Sequence, residues 1–170
     1  MNVLSLLFGT TLKKQDNHNN YVHKGWFDIA IRTQEGRIRE GRVVHNLVTT
    51  TGKAGAASRL NGSGAEAAFT YLGVGVGTTA AAIGNTTLET EITDSGLARV
   101  NATASRVTTT VTNDTAQLAT TFSVSGTKAI TEAGILNAAS VGTLLCRQVF
   151  SAVNVINGDS FILTYKVQCS

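Results

Sequence analysis

Gly75-Val76-Gly77-Thr78-Thr79-Ala80 fits G-x-G-x-x-G/A, the spacing at which backbone N–H groups cradle a pyrophosphate at the start of a helix. That chemistry needs a strand before the glycines and a helix after them. Ala68 to Val74 can supply the strand, but Ala81-Ala82-Ile83-Gly84-Asn85-Thr86-Thr87-Leu88 breaks at Gly-Asn and continues with β-branched Thr. No helix of useful length starts there, so the motif reads as a glycine-rich strand end and no cofactor is expected.

A nucleophilic triad would need Ser or Cys, His and a carboxylate brought together. The histidines are His18, His23 and His45, all in the leading third, and no G-x-S-x-G elbow occurs. His18, His23 and Asp16 come nearest to a metal set, but they fall in a stretch with nothing to fix their geometry. Glu89 and Glu91, two apart, share one face of a strand, the spacing of an acid/base pair or of an outward polar face near a strand end. Cys146 and Cys169 are too few for a disulfide scaffold and lack metal spacing, so the expectation is two thiols in a reducing cytosol. No catalytic residue and no metal ligand is assigned, and the chain is expected not to be an enzyme.

The elements that would position these residues follow from composition and period. Charged residues are 15% of the 170 and there is no Pro, while Thr, Ala, Gly and Val dominate, a bias toward β-structure with short turns. Residues 1–59 carry nine Lys/Arg against four Asp/Glu, and residues 60–170 carry five against seven. The basic leading part has scattered charges and lacks the interleaved aromatics of a base-stacking platform, so a solvated surface is the first reading, an acidic protein partner the second and nucleic acid the last. The apolar start has no preceding positive charge and nothing approaches about 18 apolar residues, which argues against export and a membrane span.

Residues 1–24 read as an extended arm and 25–170 as one β-domain. Trp26 to Arg32 and Ile38 to Val44 flank the turn Gln34-Glu35-Gly36-Arg37 as a hairpin. One short helix is expected over about 52–60, capped by Thr50 or Thr51 and stopped at Asn61-Gly62. Val100, Ala102 and Ala104 share one phase and Val107, Thr109 and Val111 the other, which suggests a bulge near Ser105-Arg106. Leu118 to Val124, Ile130 to Leu136, Thr143 to Phe150 and Val153 to Val155 add strands, and Phe161, Leu163, Tyr165 and Val167 line one face of the last. The fold class is all-β, an antiparallel β-sandwich or jelly-roll-like arrangement.

The arm itself carries Val3, Leu4, Leu6, Leu7, Phe8 and Leu12, costly to leave in water. Two destinations follow: back onto the sandwich, or into another subunit. Lys13, Lys14 and Lys24, with Arg37, Arg39 and Arg42, would then meet an acidic partner, and Trp26 and Phe27 would brace the arm where it leaves the domain. Gly73, Gly75 and Gly77 alternate along one strand face and leave it bare, so that another strand or subunit can approach closely.

Several segments in order resemble a group of tailed-bacteriophage virion proteins. His45-Asn46-Leu47-Val48-Thr49-Thr50-Thr51-Gly52 is similar to their "hNlvtnaG" opening, and Tyr71 to Ala80 to "yialGtGtta". Thr87-Leu88-x-x-Glu91-Ile92 with Arg99, Ile130-Thr131-Glu132-Ala133-Gly134-Ile135, Gly142 to Phe150, and Val153 to Phe161 with Gly158-Asp159 follow as in that group, which ends in Trp where this chain has Tyr165. The group includes capsid decoration or cement proteins and tail, neck or fibre components. The resemblance implies a non-catalytic structural protein at the capsid surface of the virion, assembled in the host cytoplasm. Its partners would be the major capsid protein or other virion subunits, and it would itself form a homo-oligomer, dimer or trimer. A receptor- or glycan-binding β-module is the alternative of a different class.

Overall fold

The computed structural model describes residues 24–169. They form β1 (Lys24–Arg32), β2 (Ile38–His45), β3 (Leu47–Val48), α1 (Thr50–Asn61), β4 (Tyr71–Gly75), β5 (Val100–Asn101), β6 (Thr103–Val107), β7 (Thr115–Ser123), β8 (Lys128–Leu136), β9 (Leu144–Val155) and β10 (Ser160–Gln168). Two five-stranded sheets result, ordered β2-β1-β10-β7-β6 and β3-β9-β8-β4-β5, with every pairing antiparallel. The expected all-β sandwich with one short helix is what these residues build.

Alternation decides which face each strand buries. In β10, Phe161, Leu163 and Tyr165 point into the sandwich while Ile162, Thr164 and Lys166 point away, and the register sets Leu163 opposite Ile29 and Phe161 opposite Phe122. Ring pairs follow: Phe27 packs on Tyr165 with centroids 5.2 Å apart, and Phe122 on Phe161 at 6.1 Å. The opposing sheet adds Leu72, Val74, Ala133, Ile135, Cys146 and Val153 to the same core.

Both sides of the sandwich are closed by chain that leaves one sheet and enters the other. β2, at one edge of the first sheet, continues through Asn46 into β3 at the edge of the second, and β5 continues through Ala102 into β6. Ala102 is buried and its N–H donates to the Thr70 carbonyl at 2.8 Å, which holds the corner. The phase change expected at Ser105-Arg106 therefore falls at Ala102 instead. Ser105 and Arg106 pair in unbroken register with Gln117 and Ala116, and β6 ends at Val107. Thr143 to Phe150 and Val153 to Val155 are one strand, β9, whose register with β8 shifts between Ile130 and Glu132. At this shift the phase of β8 flips, so Ile130 faces the core while Ala133 and Ile135 keep it from the other parity.

The helix is capped one residue earlier than expected. Thr49, wholly buried, accepts from the Gly52 N–H at 2.9 Å through its hydroxyl, and Gly62 closes the helix in the left-handed region at φ 69°. Gly52 and Gly55 weaken the helix by propensity yet let it dock: a Cβ on Gly52 would lie 2.0 Å from the Leu145 carbonyl oxygen, and one on Gly55 2.6 Å from the Phe69 ring.

Candidate functional site

Loop 76–92, which carries the glycine motif, is laid against the outer face of the second sheet. Glycine makes this possible. A Cβ at Gly73 would meet Leu88 at 3.1 Å, and one at Gly134 would meet Leu88 at 2.9 Å, so the Leu88 side chain sits over a floor without side chains, beside Leu136 and Leu144. At Gly75 and Gly77 a Cβ would come within 2.3 Å and 2.6 Å of Glu132 Oε1. The three alternating glycines do share one bare face, but what approaches it is the chain's own loop and its own carboxylate. All three are buried in this way, which removes them as contacts for a second subunit.

The G-x-G turn thus cradles an anion, and the anion is Glu132. Its Oε1 accepts from the Gly77 N–H at 3.1 Å and the Thr90 N–H at 2.8 Å, and its Oε2 from the Glu89 N–H at 3.1 Å. Arg147 completes the set: Nε donates to Glu132 Oε2 at 2.7 Å, Nη1 to the Thr79 carbonyl at 3.0 Å and to Asn85 Oδ1 at 3.2 Å, and Nη2 to Glu89 Oε2 at 3.1 Å. Glu132 is fully buried and Arg147 is 2% exposed. A charge in that position has to be paired and hydrogen-bonded, and here each is. Both carboxylate oxygens are filled, so the arrangement locks a loop rather than offering a base or an acid.

Glu89 and Glu91 do not act as a pair. Glu89 turns to Arg147 and Thr79, whose hydroxyl and N–H hold its carboxyl below the usual range, with Arg147 a lesser cause. Glu91 forms a two-pronged contact with Arg99, Oε1 to Nε at 2.7 Å and Oε2 to Nη2 at 2.6 Å. The remaining Arg99 nitrogen, Nη1, donates to the carbonyls of Ala138 and Val141, so this pair ties the loop to the β8–β9 turn.

The other expected contacts divide. Phe27 is wholly buried in the core and cannot brace an arm from outside; the phase of β1 points it inward against Tyr165. Trp26, on the opposite face of β1, is half-buried. Arg39 and Arg42 are engaged within the chain: Arg39 binds Asp159 at 2.8 Å and the Asn154 carbonyl, and Arg42 binds Glu40 and the Ser151 carbonyl. Lys24 opens β1 opposite Gln168. Val3, Leu4, Leu6, Leu7, Phe8, Leu12, Lys13 and Lys14 lie outside the described residues, as do Asp16, His18 and His23.

A second feature is open. Between α1 and the end of β10 runs an apolar groove of about 580 Å³, with Leu60, Phe69 and Val167 among its walls. Cys146 lies beneath, its thiol pushed up to about 12 by burial, with the Tyr165 hydroxyl as a partner. Among the described residues no group of three or more His, Cys, Asp or Glu could hold a metal, and no helix is long and apolar enough to cross a membrane.

Sequence reasoning missed Glu132 and Arg147 as the centre of this arrangement. Both lie in segments on which the resemblance rests, Ile130 to Ile135 and Gly142 to Phe150, and that placement was the available signal. No family model, no curated protein and no solved structure matches the chain.

Proposed function

We propose that this chain is a non-enzymatic structural component of a tailed-bacteriophage virion, decorating and cementing the capsid shell through protein contacts. One observation carries the reading: the segments that resemble the virion group touch one another in the folded chain. Thr49 binds the Leu144 carbonyl, Gly77 binds Glu132, Glu132 binds Arg147, and Glu91 binds Arg99. An ordered set of short, separate motifs that meets in space has the character of a shared module. The most polar of these residues are spent on holding a loop rigid, as a particle component requires.

Surface composition supports contacts with neighbours. The edge strand β2 leaves Ile38 and Val43 more than half exposed, and an edge of this kind can take a further strand or an apolar patch. The test is to localise the protein in an electron-microscopy map of the particle. Copies in the hundreds over the shell support the proposal. A single ring at a vertex reassigns the chain to the tail or neck, and absence from particles overturns the virion reading.

A further inference from the structure

The groove beside α1 is lined mainly by apolar side chains. Leu60 is 82% exposed on its rim, and Val48, Phe69, Leu145 and Val167 are only half-buried along it. The chain itself carries a segment that fits. β1 starts at Lys24, which pairs with Gln168, between Val167 and Cys169 of the groove wall. The described chain therefore begins at the groove's edge.

Ahead of it stand residues 13–23, mostly polar, and then the apolar run from Val3 to Leu12. A linker of that length spans up to about 36 Å, while a helix the size of α1 is only about 18 Å long, so the run can reach any part of the groove. A tethered segment is present at an effective concentration near millimolar, which a free partner at micromolar levels does not match. We infer that residues 3–12 occupy the groove between α1 and β10 of their own chain. This goes beyond the virion reading and does not depend on it.

Thiol chemistry supplies the test. Cys169 is exposed and Cys146 is buried, with its thiol held protonated, so the chain has one reactive thiol among the described residues, at the groove. Leu7→Cys in the full chain, oxidised mildly at micromolar concentration, should form a disulfide with Cys169 in a species of monomer size, with a yield unchanged by tenfold dilution. Leu60→Asp in the same background puts a charge on the rim at a position too exposed to affect folding. It should lower the yield about tenfold. A disulfide-linked dimer whose yield falls on dilution would move the segment to a second copy and overturn the inference. So would the absence of any disulfide, or a yield indifferent to Leu60→Asp.

Discussion

The Glu132 carboxylate stands 2.7 Å from Arg147 Nε with both side chains sealed from water, and three backbone N–H groups of loop 76–92 close on the same carboxylate. Removing one member of such a pair leaves the other charge buried without a partner, a loss of about 3–5 kcal/mol. Glu132→Gln and Arg147→Met should each lower stability by that order in urea titrations, and the double variant should cost less than the two losses added. Amide exchange at Gly77 and Thr90 should quicken in both single variants. Losses below about 1 kcal/mol would mean that the pair does not hold the loop.

Gly75→Ala sets backbone permissiveness against space. The new methyl meets Glu132 Oε1 at 2.3 Å and the Thr90 carbonyl oxygen at 2.4 Å, and the latter cannot swing aside. An overpacking cost of about 1–3 kcal/mol is expected. Gly84→Ala is the control within the same loop. Nothing lies within 4 Å of its Cβ, so its urea midpoint should stay within about 0.5 kcal/mol of wild type. Equal effects at the two positions would refute the cradle.

Thr49 joins α1 to the second sheet twice over. Its hydroxyl caps the helix at the Gly52 N–H and donates to the Leu144 carbonyl at 2.7 Å. Thr49→Ala should cost about 0.5–2 kcal/mol in thermal or urea unfolding, whereas Thr49→Ser, which keeps the oxygen, should recover most of it. If Ser and Ala behave alike, the hydroxyl is not what matters there.

Much of this architecture was legible because period two is a strong signal wherever one face is core. β10 shows it, with Phe161, Leu163 and Tyr165 in step. The hairpin of β1 and β2 was legible from its turn. The sheet switch at Ala102 was not, since a buried Ala between two short strands has the same appearance as ordinary alternation. Glu132 and Arg147 were hidden for a different reason: local reading places a charge on the water side of a strand, and the loop that covers this outer face is contributed from more than forty residues away. The glycines and their shared face are visible in the sequence, but sequence does not say what fills such a face.

Stability should have a plateau bounded by two different sets of groups. On the acid side, hydrogen bonds from Thr79 to Glu89, a bond from Lys128 to Asp94, and the backbone N–H of Val111 with others on Asp114 all lower the carboxyl groups' proton affinity in the folded state. Each contribution is present above the ordinary carboxylate range and is lost as pH falls below it, because the unfolded chain then binds more protons. On the alkaline side the sign reverses. Cys146 rises from 9.0 to about 12, and Tyr165 is raised well above 10.0, both chiefly by burial, so the folded chain keeps protons that the unfolded chain releases. Their contribution is complete below about pH 9 and declines as pH rises, first through Cys146 and then through Tyr165 as well. Cys146→Ala should lower the unfolding temperature at neutral pH through the cavity it leaves, yet flatten the decline between pH 9 and 10 that Cys146 causes, before Tyr165 joins above 10.0. Unfolding temperatures measured from pH 3 to 11 for the two proteins would decide it, since curves that stay parallel above pH 9 would exclude the buried thiol as the source.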